Sequence, residues 1–332
     1  MKALGYTKAH SLDQFNIQEV TLEKPVVLDG DLLVSIKAVS VNPVDTKIRQ
    51  NRSATTSTPI VLGWDASGIV LETGKNVKGF NVGDEVFYAG ELNRAGSNAE
   101  LQAVDHRLVA KKPKNLTFAE AAAMPLTSVT AWEALIENKS LDLNSRPTIL
   151  IIGGAGGVGS MAIQILKAKS NAIVIATASR EETINWCIEL GADHVINHAN
   201  DLKTELEKIN IKEVDAVFST THTSNYLPKL NDIIRAFGNF ILIDDPKDLN
   251  IAHFKQKSIK TSWEFMFSKS MFNYHPEEQG QVLNEIAHLV ENNKMRTTLK
   301  QTLEGLNTAN LKKAHEILES SKSFGKIVLN VN

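Results

Sequence analysis

The chain has 332 residues, with 36 Lys and Arg against 38 Asp and Glu, a net charge of -2, 42% hydrophobic residues and one cysteine. That length exceeds what a single core organises, so two domains are expected, and the interspersed charge leaves no footprint for nucleic acid or an anionic membrane. A lone Cys187 excludes an internal disulfide and a Cys-rich metal site; with no apolar signal core in residues 1–8 and no run long enough to span a bilayer, a cytoplasmic protein is expected.

Residues 1 to about 125 alternate short β-like segments, at 32–40, 68–72 and 84–88, with turn signals at 29–30, 74–76 and 82–84, which predicts a compact, mostly antiparallel domain. Residues 118–138 then read as one helix, with Thr117 as N-cap and Glu120 completing a capping box. From residue 148 onward strands and helices alternate. Strand candidates at 149–152, 173–177, 194–197, 216–219 and 240–243 are separated by amphipathic segments, the pattern of a doubly wound parallel sheet. The helical stretch 181–190 carries Cys187 as a small buried apolar residue. An apolar run follows at 262–267, and the chain closes on a strand-like segment at 326–331. No internal repeat or low-complexity tract is present.

The run Gly153, Gly154, Ala155, Gly156, Gly157, Val158, Gly159 lies between the first of those strands and a helix beginning near Ser160. Gly154, Gly156 and Gly159 fill a G-x-G-x-x-G fingerprint. One glycine permits the tight turn, one lets a pyrophosphate approach the backbone, and one lets helix and strand pack closely. The helix N-terminus offers unpaired N–H groups and a partial positive charge to the phosphates. At the end of the next strand, where an NAD enzyme places Asp or Glu on the ribose, the residues are Ala178, Ser179 and Arg180. A carboxylate repels a 2′-phosphate, whereas a hydroxyl and a guanidinium donate to it, so NADPH (NADP) is expected over NADH. The bland alternative is that Arg180 is a solvated surface charge.

The motifs taken together carry a resemblance that covers nearly the whole chain. Residues 41–49 (with Asn42, Asp45 and Lys47), 63–68 (with Trp64 and Asp65), 82–86, 123–132 (with Thr130), the glycine loop and 325–328 (with Lys326) are similar, in order and spacing, to the medium-chain dehydrogenase/reductase superfamily, in its quinone oxidoreductase-like branch often labelled zinc-type alcohol dehydrogenase-like. The resemblance implies an α/β protein. A GroES-like, mostly β catalytic domain would span 1–126, a Rossmann NADP-binding domain 127–267, and a C-terminal segment returning to the catalytic domain 268–332. It also implies an active site in the cleft between domains, with Thr130 and Lys326 joining the glycine loop, Ser179 and Arg180 in cofactor binding.

Departures from that family pattern decide the expected chemistry. Asn42 stands where the zinc enzymes have a Cys ligand, Trp64 follows Gly63 where they have a His, and the region 126–127 offers no thiolate. Zinc takes thiolate, imidazole or carboxylate, usually three from the protein at a catalytic site, so no metal is expected. Asp65 alone reads as a structural hydrogen-bond acceptor near a turn. Without a Lewis acid alcohol oxidation is unattractive, whereas a quinone or α,β-unsaturated carbonyl carries the charge that develops during hydride transfer onto its own oxygen. Asn42, Tyr88 and Lys47 are the candidate donors, Asp45 an orienting residue, and Asn42, Lys47, Trp64 and Tyr88 the candidate substrate contacts. Tyr88 reads equally well as β-strand core. His10, His222 and His253 form no triad or ligand set and read as surface or loop residues. Two other functions remain open: a zinc-dependent alcohol dehydrogenase, and a non-catalytic NADPH-binding sensor. A homodimer is expected, through the apolar run 262–267 as an exposed sheet edge.

Overall fold

The computed structural model describes residues 1–331, so the last residue of the expected segment 268–332 lies outside them. The chain divides into two units, one made of Met1–Leu126 with Phe267–Asn332 and the other of Thr127–Met266.

The Thr127–Met266 unit is built on six parallel strands, in spatial order His194–Ile196, Ile173–Thr177, Thr148–Ile152, Val214–Ser219, Ile234–Leu242, Lys260–Trp263. This is the doubly wound order, with its topological switch point between Thr148–Ile152 and Val214–Ser219. Ile149, Leu150, Ile151 and Ile152 are all 0% exposed, as unbroken apolar runs are when helices cover both faces of a sheet. One face closes on Leu202, Leu206, Leu227, Leu230 and Phe254. The helix after the glycine loop is Gly157–Lys169, starting three residues before the expected Ser160.

In the other unit a seven-stranded sheet runs in the order Leu299–Leu303, Lys326–Asn330, Asp31–Ser40, Ala66–Thr73, Glu85–Tyr88, Val109–Lys111, with Leu101–Asp105 also pairing on Asp31–Ser40. All pairs are antiparallel except the first two strands. The closing strand therefore lies inside this sheet, Val328 opposite Ser40 and Leu329 opposite Val39. A smaller sheet joins Gln18–Thr21, Lys2–Tyr6 and Ile60–Val61.

Three expectations are corrected. The helix at 118–138 is two helices, Phe118–Ala122 and Pro125–Leu135. The Thr117–Glu120 capping box is present, but Pro125 has no N–H to continue the ladder and its ring disfavours helical geometry in the residue before it. The strand expected at 240–243 begins at Ile234, because Arg235, Ala236 and Phe237 are exposed and broke the apolar pattern used to find it. His10 does lie in a loop but is buried, with Nδ1 2.8 Å from Lys8 O.

Candidate functional site

In the parallel-sheet unit the glycine loop leaves Thr148–Ile152 at Gly153, whose φ of +81° suits glycine, and enters the helix at the cap Gly156. A Cβ on Gly153 would stand 2.5 Å from Thr220 Oγ1, on Gly154 2.6 Å from Ala176 Cβ, and on Gly159 2.3 Å from Gly153 O. These three glycines serve packing. Gly156 differs: a Cβ there would meet only Gly153 O, at 3.3 Å, with its φ of -66° open to any residue. Absence of a side chain at Gly156 thus leaves free space at a helix N-terminus, the cradle a pyrophosphate requires. Ala155, Gly157 and Val158 complete this turn, and Gly154 N is anchored to Thr177 O at 3.2 Å. At the end of Ile173–Thr177, Ala178 is buried while Ser179 and Arg180 are exposed; Arg180 caps the helix Glu181–Glu189, with Nη1 3.3 Å from Glu182 Oε1. Thr130 is buried on Pro125–Leu135.

In the other unit four polar side chains share one buried network. Strand Asp31–Ser40 ends just before Asn42, which caps the helix Pro43–Asn51; its backbone N–H donates to Asp45 Oδ2 at 2.7 Å. Asp45 Oδ1 accepts from Gly63 N at 2.9 Å. Asn42 Nδ2 donates to Asp65 Oδ2 at 2.7 Å, and Leu126 N donates to Asp65 Oδ1 at 2.7 Å. Lys326 opens the interior strand Lys326–Asn330. Its ammonium donates to Val41 O (2.9 Å), Asn42 Oδ1 (2.5 Å) and Asp65 Oδ2 (3.0 Å), so all three N–H bonds are used. Asn42 and Lys326 are at most 4% exposed, and Asp45 and Asp65 are 0% exposed.

Two carboxylates thus face one ammonium, an excess of one negative charge where water cannot screen it. Burial pushes the Asp45 carboxyl up to about 7, against the backbone donors Asn42 and Gly63 and the Lys326 charge, which favour its ionised form. Burial also raises Asp65, opposed first by Lys326. A buried carboxyl that titrates near neutrality marks a candidate functional site.

The structure brings together Asn42, Asp45 and Lys326 from the expected set and leaves out the rest. Tyr88 is not placed to protonate a substrate. Its hydroxyl donates to Gln102 Oε1 at 2.9 Å, it is 1% exposed, and burial raises its pKa, so it is strand core. Trp64 is 2% exposed, with Nε1 donating to Glu91 O at 3.0 Å and its ring edge-on to Phe267. Lys47 lies on the exposed face of its helix, opposite the buried Asp45, Thr46 and Arg49. Asn42 spends its amide on Asp65 and Lys326 and so acts as a bridge within the network. Lys326, expected in cofactor binding, has its ammonium turned into the network. Asp65, read from sequence as an isolated acceptor, is the centre of the cluster. Its link to Lys326 spans 261 residues and has no local signature. Among the described residues no group of three or more His, Cys, Asp or Glu could hold a metal, and no helix is long and apolar enough to cross a membrane.

Comparison with known proteins is consistent across both units. Residues 28–128 match the alcohol dehydrogenase GroES-like domain and residues 190–329 the zinc-binding dehydrogenase family. A zinc-type alcohol dehydrogenase-like protein of Staphylococcus aureus is 40% identical over 341 residues, covering 100% of both chains. An NADPH-dependent alkenal/one oxidoreductase of Arabidopsis thaliana chloroplasts is 36% identical over 210 residues, 60% of this chain and 53% of that protein. Among solved structures, a Rhizobium etli protein assigned to the zinc-dependent alcohol dehydrogenases superposes with a TM-score of 0.96 at 45% identity, over 100% of this chain and 98% of that one. Escherichia coli quinone oxidoreductase, solved with NADPH, gives 0.85 at 25% identity, over 99% and 100%.

Proposed function

The chain belongs to the medium-chain dehydrogenase/reductase superfamily of oxidoreductases, and from that premise we propose that it is a cytoplasmic, NADPH-dependent, zinc-independent reductase of quinones or α,β-unsaturated carbonyls. The observation that carries this reading is the Lys326 ammonium bonded to Asn42 and Asp65. Where the zinc enzymes hold Cys and His, this chain has an amide already bonded to a lysine and an indole bonded to a carbonyl. Neither can ligate zinc, and the donor set does not fit the metal.

The glycine cradle fits a dinucleotide. Residues 153–159 would receive the pyrophosphate, and Ser179 and Arg180 a 2′-phosphate, with Arg180 exchanging its 3.3 Å pair with Glu182 for the phosphate. NADPH, when bound, supplies the hydride. The chain's own part is positional: with all three of its N–H bonds spent inside the network, the Lys326 ammonium ties Val41, Asn42 and Asp65 together and holds the Asn42 cap in place. Asp45 holds a proton on its carboxyl up to about pH 7, which keeps the network neutral. The alkenal/one reductase and quinone oxidoreductase relatives support this substrate class. A homodimer is also proposed: Lys260–Trp263 is an edge strand, with Trp263 54% and Phe265 47% exposed at its end.

The test follows NADPH oxidation with small quinones, enones, and simple alcohols plus NADP, before and after exhaustive chelation. Turnover of quinones or enones that survives chelation is expected. Zinc-dependent alcohol oxidation with quinones and enones inert would establish the dehydrogenase reading instead, and NADPH binding without any turnover would establish a sensor.

A further inference from the structure

Away from that network, the unit containing residues 1–126 holds three buried basic side chains around one aromatic ring. Phe15 lies in the segment between the strands Lys2–Tyr6 and Gln18–Thr21. The Arg49 guanidinium sits 5.6 Å from its ring centroid, and the rings of His10 and His315 meet it edge-on at 5.8 and 5.7 Å. Arg49 and His315 are 0% exposed and His10 8%. Arg49 Nε and Nη1, both ring nitrogens of His315, and His10 Nε2 are buried with no hydrogen-bond partner. Buried polar atoms are rarely left so, and five in one cluster need an explanation.

We propose that Phe15, His10, Arg49 and His315 form an acid-sensitive latch, which fastens this segment to the helices Pro43–Asn51 and Thr308–Glu319 while the His315 imidazole is neutral and releases it in acid. The charge inventory supports this. Facing the cluster are Tyr6 from the first strand, His10 from the segment, Arg49 from one helix with Asp45 and Arg52 on either side of it, and His315 and Glu319 from the other. Of the two carboxyl groups, Asp45 is bonded to the Asn42 and Gly63 amides and Glu319 is shared by Arg49 Nη2 and Gln50 Nε2. A proton on His315 therefore has no counter-charge. Burial, then Arg49 and His10, hold its pKa down to about 3 from an ordinary 6.5. With the segment released, the His315 imidazole on its helix regains its ordinary affinity. Each pH unit below 6.5 therefore favours release tenfold, about thirtyfold at pH 5. Arg49 lies one turn after Asp45 on the same helix, both on its buried face, so release loosens the helix that carries the network.

Hydrogen exchange tests the latch directly. Two amides fasten the segment, His10 N to Arg49 O at 3.0 Å and Ala9 N to Ser53 Oγ at 2.9 Å. Corrected for intrinsic exchange, protection of peptides spanning 7–17 should fall about thirtyfold between pH 8 and 5, while the strand Thr148–Ile152 keeps its protection. His315→Leu, which cannot take up a proton, should abolish that dependence. Phe15→Leu, which keeps both histidines, should lower protection of 7–17 already at pH 8. Unchanged wild-type protection down to pH 5, an equal fall in His315→Leu, or full protection at pH 8 in Phe15→Leu would each overturn the proposal.

Discussion

Asp45 and His315 should give this protein two pH dependences of stability that hide one another. In the folded state Asp45 keeps its proton to about pH 7, whereas the unfolded carboxyl loses it near 3.8. Between those values the folded state binds the extra proton, so this group's contribution falls as pH rises. His315 has the opposite sign. Folded, it stays neutral down to about pH 3; unfolded, it takes a proton near 6.5, so its contribution rises with pH across that window and is complete above 6.5. Each slope is about 1.4 kcal/mol per pH unit, and from pH 4 to 6.5 each amounts to about 3 kcal/mol. Their sum is close to zero, leaving wild type nearly flat with respect to these two groups. Asp45→Asn removes the first and should make stability climb with pH, relative to wild type, by about 3 kcal/mol over that range. His315→Leu removes the second and should make it decline by a similar amount. Urea unfolding of the three proteins at half-unit pH steps measures this, and differences from wild type cancel the titration of every other group. Parallel curves for all three proteins would refute the reasoning, as would slopes of the same sign in the two variants.

Four further outcomes are expected. Arg180→Ala should cost NADPH at least tenfold in affinity and NADH nothing, by titration of both cofactors, since one charge-assisted hydrogen bond is worth roughly 1.5–3 kcal/mol; equal affinities in wild type would remove the 2′-phosphate site. Gly156→Val should abolish NADPH binding while circular dichroism stays native and melting shifts little, because within the protein the added Cβ meets only Gly153 O, at 3.3 Å, a contact relieved by a shift of a few tenths of an ångström. Lys326→Met leaves Asp65 buried without its cation and should destabilise by about 3–5 kcal/mol, with partial recovery on acidification as the carboxyls take up protons, read by calorimetry at pH 8 and 5.5. Light scattering at micromolar concentration should give twice the chain mass of 36.5 kDa, and a monomer would end the edge-strand proposal.

The parallel sheet was legible because its signals are local. Ile149 to Ile152 are buried on both faces, and the turn after them needs glycines for contacts made within a few residues. Period and turn chemistry report such features directly. The helix over 118–138 was read too long because apolar periodicity runs through Ala121 to Leu135 without registering the break that Pro125 imposes. The network of Asn42, Asp45, Asp65 and Lys326 was half legible. Asn42 and Asp45 stand three residues apart in a capping arrangement, but the partner that consumes the Asn42 carbonyl comes 284 residues later. Tyr88 misled for a related reason, since Gln102, on a neighbouring strand segment, decides whether its hydroxyl is spoken for.

The placement of the closing strand orders events during synthesis. Thr127–Met266 is continuous in sequence and can pack its sheet as soon as it has emerged, whereas the seven-stranded sheet lacks the two strands at one end until residues 299–330 have been made. Until then Ala38, Val39 and Ser40 lack their partner on one side, and Asp65 has no cation. An emerging chain must therefore carry a finished nucleotide-binding unit beside an unfinished one. Sheet closure and the arrival of the Lys326 charge are a single event, so any chain that stalls before the last strand lacks the electrostatic centre along with the strand.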